Sequence, residues 1–407
     1  MSEQEFQQLE DLLRRATKMK VDLSRMTPQQ RAKESIESEK PFRKFTARKS
    51  NSSILCMQQG CQQSAINSHV ISKNQYLRNI AVDNQVIGIE SRDQFNSDNR
   101  FVRGMSLNLI GINEATTFKG YCKTHDNELF ESIDNGPIKS REDILLQCLR
   151  TIDYSLYAET WTTEVMKHVL KKVANGIGVE NFRKFYRGQF DGLEPIRRLR
   201  THIVQALEDV HQVSRQEPLP LGISLTLNDN YEVHFRRVYT PIPLAMYNFF
   251  KLNTGHVLYI TTLPTQEYID LIFICNQEFD MGYRWRYQIT QDSLSVLNFL
   301  ECCMSAFECW VASPRVFENM SEEKKALFQA DIYNRHGRSF FKDNRTYDVS
   351  IFDEIRLDIL ARLPDDDKRK TVELHKISNL PPREAKPLES KAALEASELQ
   401  QIMHWDI

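Results

Sequence analysis

Apolar residues recur at helical spacing near the N-terminus and in the middle of the chain. Within residues 3–20, one helical face carries Phe6, Leu9, Leu12 and Leu13. Residues 141–212 show the same three- and four-residue steps, and an Asn-Gly-Ile-Gly turn divides them into two regions. This spacing predicts an amphipathic N-terminal helix and a helical middle.

The pattern changes from helical to alternating near Pro218. Residues 221–239, 256–263 and 268–276 are rich in Ile, Val, Thr, Tyr and Phe and are separated by turn sequences. They predict antiparallel strands. Helical spacing resumes at 293–312, and the polar tail is typical of an exposed linker that ends in a short helix.

Length and composition limit the class of protein. With 407 residues the chain is long for one hydrophobic core, so we expect two or three domains. Its net charge of −2 does not mark the whole molecule as a nucleic-acid binder. No apolar stretch approaches the roughly 18 residues of a membrane span, and the N-terminus lacks the features of a secretory signal. We therefore expect a cytoplasmic protein without a membrane partner.

Four potential metal ligands stand in two tight pairs, Cys56-x4-Cys61 and Cys122-x2-His125. Each spacing lets both side chains of a pair reach one tetrahedral ion from a knuckle or from a turn that enters a helix. The pattern predicts a structural zinc site with no open coordination position. The alternative is a set of unrelated buried cysteines and a surface histidine.

Together these patterns predict an α+β fold whose zinc-knuckle module is of the treble-clef or ββα type. An antiparallel sheet with flanking helices follows the helical middle. The expected segments are a helical basic arm (1–50), the zinc module (51–135), a helical region (136–215), a strand-rich α+β domain (216–362) and a polar tail with a short helix (363–407).

A Ser-His-Val-Ile-Ser sequence at 68–72 lies between the two ligand pairs, and Asp126 directly follows the second pair. This order resembles the zinc-braced HNH, or ββα-metal, nucleases. The resemblance implies that His69 is the general base and that Asp126 is a ligand of a catalytic Mg²⁺ or Mn²⁺. Ser68 stands where that family usually has an acidic residue, so Glu128 is a candidate substitute ligand.

Both residues also have simpler explanations. His69 is equally compatible with a histidine that satisfies a hydrogen bond in the core. Asp126 is equally compatible with the N-cap of a helix that begins at Asn127, where a carboxylate accepts backbone N–H bonds.

Two basic segments are candidates for contact with a phosphate backbone. Residues 40–49 contain five basic residues and no acid, and a further cluster lies at 183–200. The alternatives are a solvated linker and the wet face of a helix. The candidate nucleic-acid-binding residues are Arg43, Lys44, Arg48, Lys49, Arg197 and Arg198.

The sequences SHVIS and GYCKTHDNELF also resemble a group of uncharacterised bacterial proteins that share SHxI and GxCxxHDxxLF motifs. The two resemblances imply a diverged metal-dependent nuclease acting on DNA, in bacterial anti-phage defence, with a partner protein in a defence complex. The alternative is a non-enzymatic, zinc-stabilised interaction or sensor protein that binds a partner protein or nucleic acid.

Overall fold

The computed structural model describes residues 54–95, 101–172, 179–212, 219–251, 257–277, 288–333 and 346–383. The predicted N-terminal helix and the basic segment at 40–49 lie outside the described residues, as does the tail from residue 384 onward.

The predicted metal-binding module contains a short two-stranded antiparallel sheet followed by a helix. Strand β1 (Asn67–His69) pairs with β4 (Thr117–Lys119), and helix α1 (Lys123–Asn135) follows. Between the paired strands the chain forms a helical segment at Lys73–Leu77 and Arg78–Ile80. It then forms a longer hairpin of β2 (Gln85–Phe95) and β3 (Phe101–Gly111).

Two long helices form the middle of the chain, α2 (Arg141–Lys172) and α3 (Val179–Gln212). Helix α2 begins with a reciprocal cap, in which the Ser140 hydroxyl accepts from the Asp143 backbone N–H and the Asp143 carboxylate accepts from the Ser140 backbone N–H. This arrangement satisfies two of the donors that a helix leaves unpaired at its start.

Six further strands follow along the chain: β5 (Gly222–Thr226), β6 (Tyr231–Val238), β7 (Leu244–Lys251), β8 (Val257–Pro264), β9 (Ile269–Asn276) and β10 (Trp310–Ala312). Together with β2 and β3 they form an eight-stranded antiparallel sheet in the order β3-β2-β10-β7-β8-β9-β6-β5. The predicted strand-rich segment therefore shares its sheet with the β2–β3 hairpin of the predicted metal-binding module.

The helix predicted for 293–312 ends earlier than its apolar pattern suggested. Helix α4 spans Ser293–Ala306, and the chain then turns into β10. Val311 pairs with Gly88 of β2 on one side and with Ala245 of β7 on the other. Strand pairing on both sides therefore overrides the local helical spacing, and it connects the β2–β3 hairpin to the rest of the sheet.

Both faces of the sheet are covered. On one face, Val233 and Phe235 belong to a core that includes Ile152 of α2 and Ile203 of α3. On the other face, residues of β9 such as Phe273 pack in a second core. Helices on that side are α4, α5 (Arg315–Glu318), α6 (Glu322–Tyr333), α7 (Asp353–Ala361) and α8 (Arg369–Ser378).

The observed architecture confirms the predicted α+β fold class with an antiparallel sheet and flanking helices. No helix of the described residues is long and apolar enough to cross a membrane.

A buried network of charges joins helices α4, α7 and α8. The guanidinium of Arg356 contacts Glu301 and Glu373, and Lys376 Nζ lies 3.0 Å from Glu373 Oε1. Glu301 also accepts from the backbone N–H of Ile351 at 2.8 Å. Two cations therefore neutralise two carboxylates, so the charges are tolerated in the core.

Replacement of Arg356 by Met leaves Glu301 without its buried counter-ion. We expect Arg356→Met to lower the free energy of unfolding by about 3–5 kcal/mol, measured by chemical denaturation. Arg362→Met is the matched control, because Arg362 is exposed near the end of the same helix, and it should change stability by about 0.5 kcal/mol or less. Equal effects of the two substitutions would contradict this role of the network.

Candidate metal centre

The first ligand pair lies on a tight turn. Backbone N–H groups of Cys56 and Cys61 donate to the carbonyls of Gln63 and Gln58, at 2.9 and 3.1 Å. Gly60 has a φ of +79°, a left-handed conformation that glycine adopts without a steric penalty. The turn therefore directs both cysteine side chains to the same side.

The second pair lies where the chain enters helix α1. Cys122 is the N-cap residue, and His125 lies in the first turn. A hydrogen bond of 2.7 Å from the backbone N–H of Ile66 to the carbonyl of Tyr121 joins this segment to the residues before β1. The two pairs are separated by 60 intervening residues in sequence but meet in space.

The four ligand atoms form one cluster in which all lie within 4.8 Å of one another. His125 Nδ1 lies 3.5 Å from Cys56 Sγ and 3.2 Å from Cys122 Sγ, and the sulfurs of Cys61 and Cys122 are 3.9 Å apart. A tetrahedral zinc site needs about 3.8 Å between two sulfurs and about 3.5 Å between sulfur and nitrogen. The cluster can therefore hold a metal ion such as zinc.

Local electrostatics favour the thiolate form at one of these ligands. The backbone N–H of His125 lowers the pKa of the Cys122 thiol to about 7. Burial raises the pKa of the Cys56 thiol. Because thiolates are the metal-binding form of cysteine, a bound cation would supply the stabilisation that the buried Cys56 lacks.

His69 lies at the end of β1 and is partly exposed. Its Nε2 is 3.0 Å from the carbonyl oxygen of Ile112. A carbonyl can only accept, so Nε2 carries the proton and Nδ1 retains its lone pair. Burial lowers the pKa of His69, and the Ile112 carbonyl partly opposes that shift. The lowered pKa favours the neutral imidazole, the state that a general base requires.

Asp126 lies in the first turn of α1, and its side chain is only 14% exposed. Because α1 begins at Lys123 with Cys122 as its N-cap, the prediction that Asp126 caps a helix beginning at Asn127 is wrong. Burial raises the pKa of Asp126, while Arg150 and the Ser68 hydroxyl oppose that increase.

The cation beside Asp126 is the guanidinium of Arg150, which extends from α2. Its Nη2 lies 4.0 Å from Asp126 Oδ1, and both terminal nitrogens contact the carboxylate of Asp134 at 2.7 and 2.8 Å. The Arg150 side chain is 1% exposed and lies 4.0 Å above the ring of Phe130. Neither Arg150 nor Asp134 was among the sequence candidates.

The charge of Arg150 would oppose binding of a divalent ion at Asp126. At about 5 Å and an effective dielectric constant of about 20, a divalent ion and a guanidinium repel each other by roughly 7 kcal/mol. Glu128 does not join Asp126, because it is exposed and lies two residues further along the helix, on a different side. Among the described residues, only the Cys/His cluster groups three or more potential metal-binding side chains of the Cys, His, Asp and Glu types.

The basic candidates that the structure describes are both exposed on α3. Arg198 pairs with Glu194 at 3.1 Å, and both side chains are more than half exposed. Its neighbour Arg197 is also exposed. The other four candidates, Arg43, Lys44, Arg48 and Lys49, lie outside the described residues.

Comparison of this chain with protein-family models, curated proteins and solved structures finds no match.

Removal of one ligand should weaken metal binding selectively. A structural zinc site contributes about 10–16 kcal/mol, so loss of one of four ligands should cost about 3 kcal/mol, or roughly 100-fold in affinity. We expect this loss for Cys61→Ser, measured as metal content after competition with a chelator. Cys309→Ser is the matched control, because Cys309 is also half-buried but lies outside the cluster. Metal retention by Cys61→Ser equal to that of the control would contradict the assignment.

Proposed function

We propose that this chain is a non-enzymatic, zinc-stabilised interaction protein, with zinc held by the Cys/His cluster. The observation that carries the proposal is the buried guanidinium of Arg150 beside Asp126, at 4.0 Å. This guanidinium lies beside Asp126, the carboxylate that a ββα nuclease with this order of motifs would use to bind its catalytic ion. The zinc then supports the fold and performs no chemistry.

Cleavage of a phosphodiester needs more than a base. Charge that develops on the phosphate must be neutralised, and such electrostatic stabilisation is usually the largest contribution to catalysis. Arg150 does not supply it, because its side chain is 1% exposed and is engaged by Asp134. His69 therefore lacks a described electrophilic partner, which supports binding over hydrolysis.

The exposed apolar side chains of the C-terminal helices support a protein partner. Helix α8 buries Glu373 and Lys376 and exposes Val372 and Leu374, at 60% and 44%. On the neighbouring α7, Leu357 is 46% exposed. Large apolar side chains are thus exposed on two neighbouring helices, and their burial against a partner protein would be favourable.

One observation favours a nuclease as the second candidate function. The hydrogen bond of 3.0 Å from His69 Nε2 to the Ile112 carbonyl favours the tautomer in which Nδ1 can accept a proton from water. In this alternative the substrate is DNA, His69 is the general base, and Arg197 and Arg198 contact the backbone.

The experiment incubates zinc-loaded protein with plasmid and single-stranded DNA in Mg²⁺, Mn²⁺ or EDTA. Cleavage and gel mobility are scored on the same samples at physiological salt. We expect DNA that is neither cleaved nor shifted, because Asp126 faces a guanidinium and the exposed Arg198 is paired with Glu194.

Cleavage that needs a divalent ion and disappears in a zinc-replete His69→Ala protein would contradict the proposal and establish the nuclease. His375→Ala is the control, because it makes the same substitution at an exposed histidine far from His69 in the sequence. A mobility shift without cleavage would show DNA binding. If the shift is lost in an Arg197→Ala/Arg198→Ala protein, the partner is nucleic acid and not a protein.

A further inference from the structure

The eight-stranded sheet ends in two edge strands that differ in their protection, β3 and β5. Strand β5 has five residues, and Pro218 and Pro220 closely precede it. Strand β3 has 11 residues, contains no proline and carries a single charged residue. Short length, proline and charge are the usual means by which an edge strand avoids pairing with another chain. The β5 edge has such protection, whereas the β3 edge lacks it.

The register of the β2–β3 hairpin determines which backbone groups of β3 point away from the sheet. The N–H of Ile112 donates at 2.9 Å to the carbonyl of Asn84, which lies opposite it when the hairpin register is continued. Hydrogen-bonded and non-hydrogen-bonded pairs alternate along an antiparallel ladder. Leu107 and Leu109 therefore direct their N–H and C=O groups away from β2, and among the described strands β3 pairs with β2 alone.

The same two positions carry apolar side chains. Leu109 is 56% exposed, although it lies within a strand. Leu107 is partly buried and packs against the second core. Side chains two residues apart along a strand lie on the same face, so a strand added at this edge would extend the face that already carries both leucines.

A second copy of β3 fits this edge in antiparallel orientation. When two copies are centred on Asn108, Leu109 of each copy lies opposite Leu107 of the other. The outward N–H and C=O groups of these leucines then form the hydrogen-bonded pairs of the new ladder. The one charged residue of β3, Arg103, lies beyond the paired segment 105–111, so no like charges face each other.

We propose that this chain forms a twofold-symmetric dimer by antiparallel pairing of two β3 strands, which joins the two sheets into one. Main-chain hydrogen bonds supply the attraction, as in other cases of strand addition at a sheet edge. The symmetry makes the interface self-complementary. Neither the Cys/His cluster nor the exposed side chains of α7 and α8 belong to β3, so the dimer goes beyond the proposed function and can fail independently of it.

The test measures the dimer dissociation constant by sedimentation velocity, on zinc-loaded full-length protein over a concentration series. We expect a dimeric wild type, and we expect Leu109→Pro to raise the dissociation constant about 100-fold. Each of the two symmetric copies then loses one interchain donor, worth roughly tenfold. The ladder to β2 should persist, because proline is tolerated where the N–H of an edge strand faces outward.

Thr226→Pro is the matched control on the other edge strand. Leu227 N–H donates to the carbonyl of Tyr231 at 2.9 Å, and Tyr231 lies opposite it when the β5–β6 register is continued. The N–H of Thr226 therefore also points away from the sheet. We expect this substitution to leave the dissociation constant of the dimer unchanged.

Leu109→Lys keeps every backbone N–H and decides the question if Leu109→Pro does not fold. It should weaken the dimer about tenfold, because both copies lose the apolar contact of Leu109. A monomeric wild type, with the edge left free or covered by another segment or another protein, would overturn the proposal. A dimer that both Leu109 variants leave as stable as Thr226→Pro would overturn it as well. Cleavage of DNA would contradict the proposed function and leave this inference intact.

Discussion

The fold of the N-terminal half depends on one constraint: the turn that carries Cys56 and Cys61 must meet the turn that carries Cys122 and His125. The paired strands β1 and β4 contain only three residues each, which is too few for a two-stranded sheet to be stable in isolation. The Cys/His cluster joins the segment before β1 to the start of α1. A bound ion would therefore offset the entropy lost in closing the long loop between the ligand pairs.

Tyr121, next to a metal ligand, connects this cluster to the rest of the protein. Its hydroxyl donates to Asp153 of α2, and Asp153 also accepts from Arg200 of α3 at 2.6 Å. Arg150 makes a second connection, from α2 to α1. The loop between the ligand pairs adds a third, since its β2–β3 hairpin enters the main sheet through β10. The candidate centre is thus built into the core of the protein.

The sequence could predict the features that depend on local spacing. The ligand pairs Cys56/Cys61 and Cys122/His125 are close in sequence, so their joint orientation follows from one turn each. Strands β6, β8 and β9 carry enough β-branched and aromatic residues to be recognised. The exit from α4 at Ala306 could not be predicted, because β10 has three residues and forms through pairing with β2 and β7.

Arg150 could not be predicted for a related reason. Its partner Asp134 is 16 residues away across a turn between helices, and no sequence period marks an ion pair at that separation. The available indication was a charged residue within the buried apolar run of α2. The order of the motifs alone favoured a catalytic metal at Asp126. The structure places the guanidinium of Arg150 beside that carboxylate instead.

Anomalous X-ray diffraction from wild-type crystals grown with Mn²⁺ would test this account most directly. Data collected on both sides of the zinc edge, and at a wavelength where manganese scatters anomalously, distinguish the two metals. The account predicts one zinc peak among Cys56, Cys61, Cys122 and His125 and no manganese peak at Asp126. A manganese ion coordinated by Asp126, with Arg150 displaced, would contradict it.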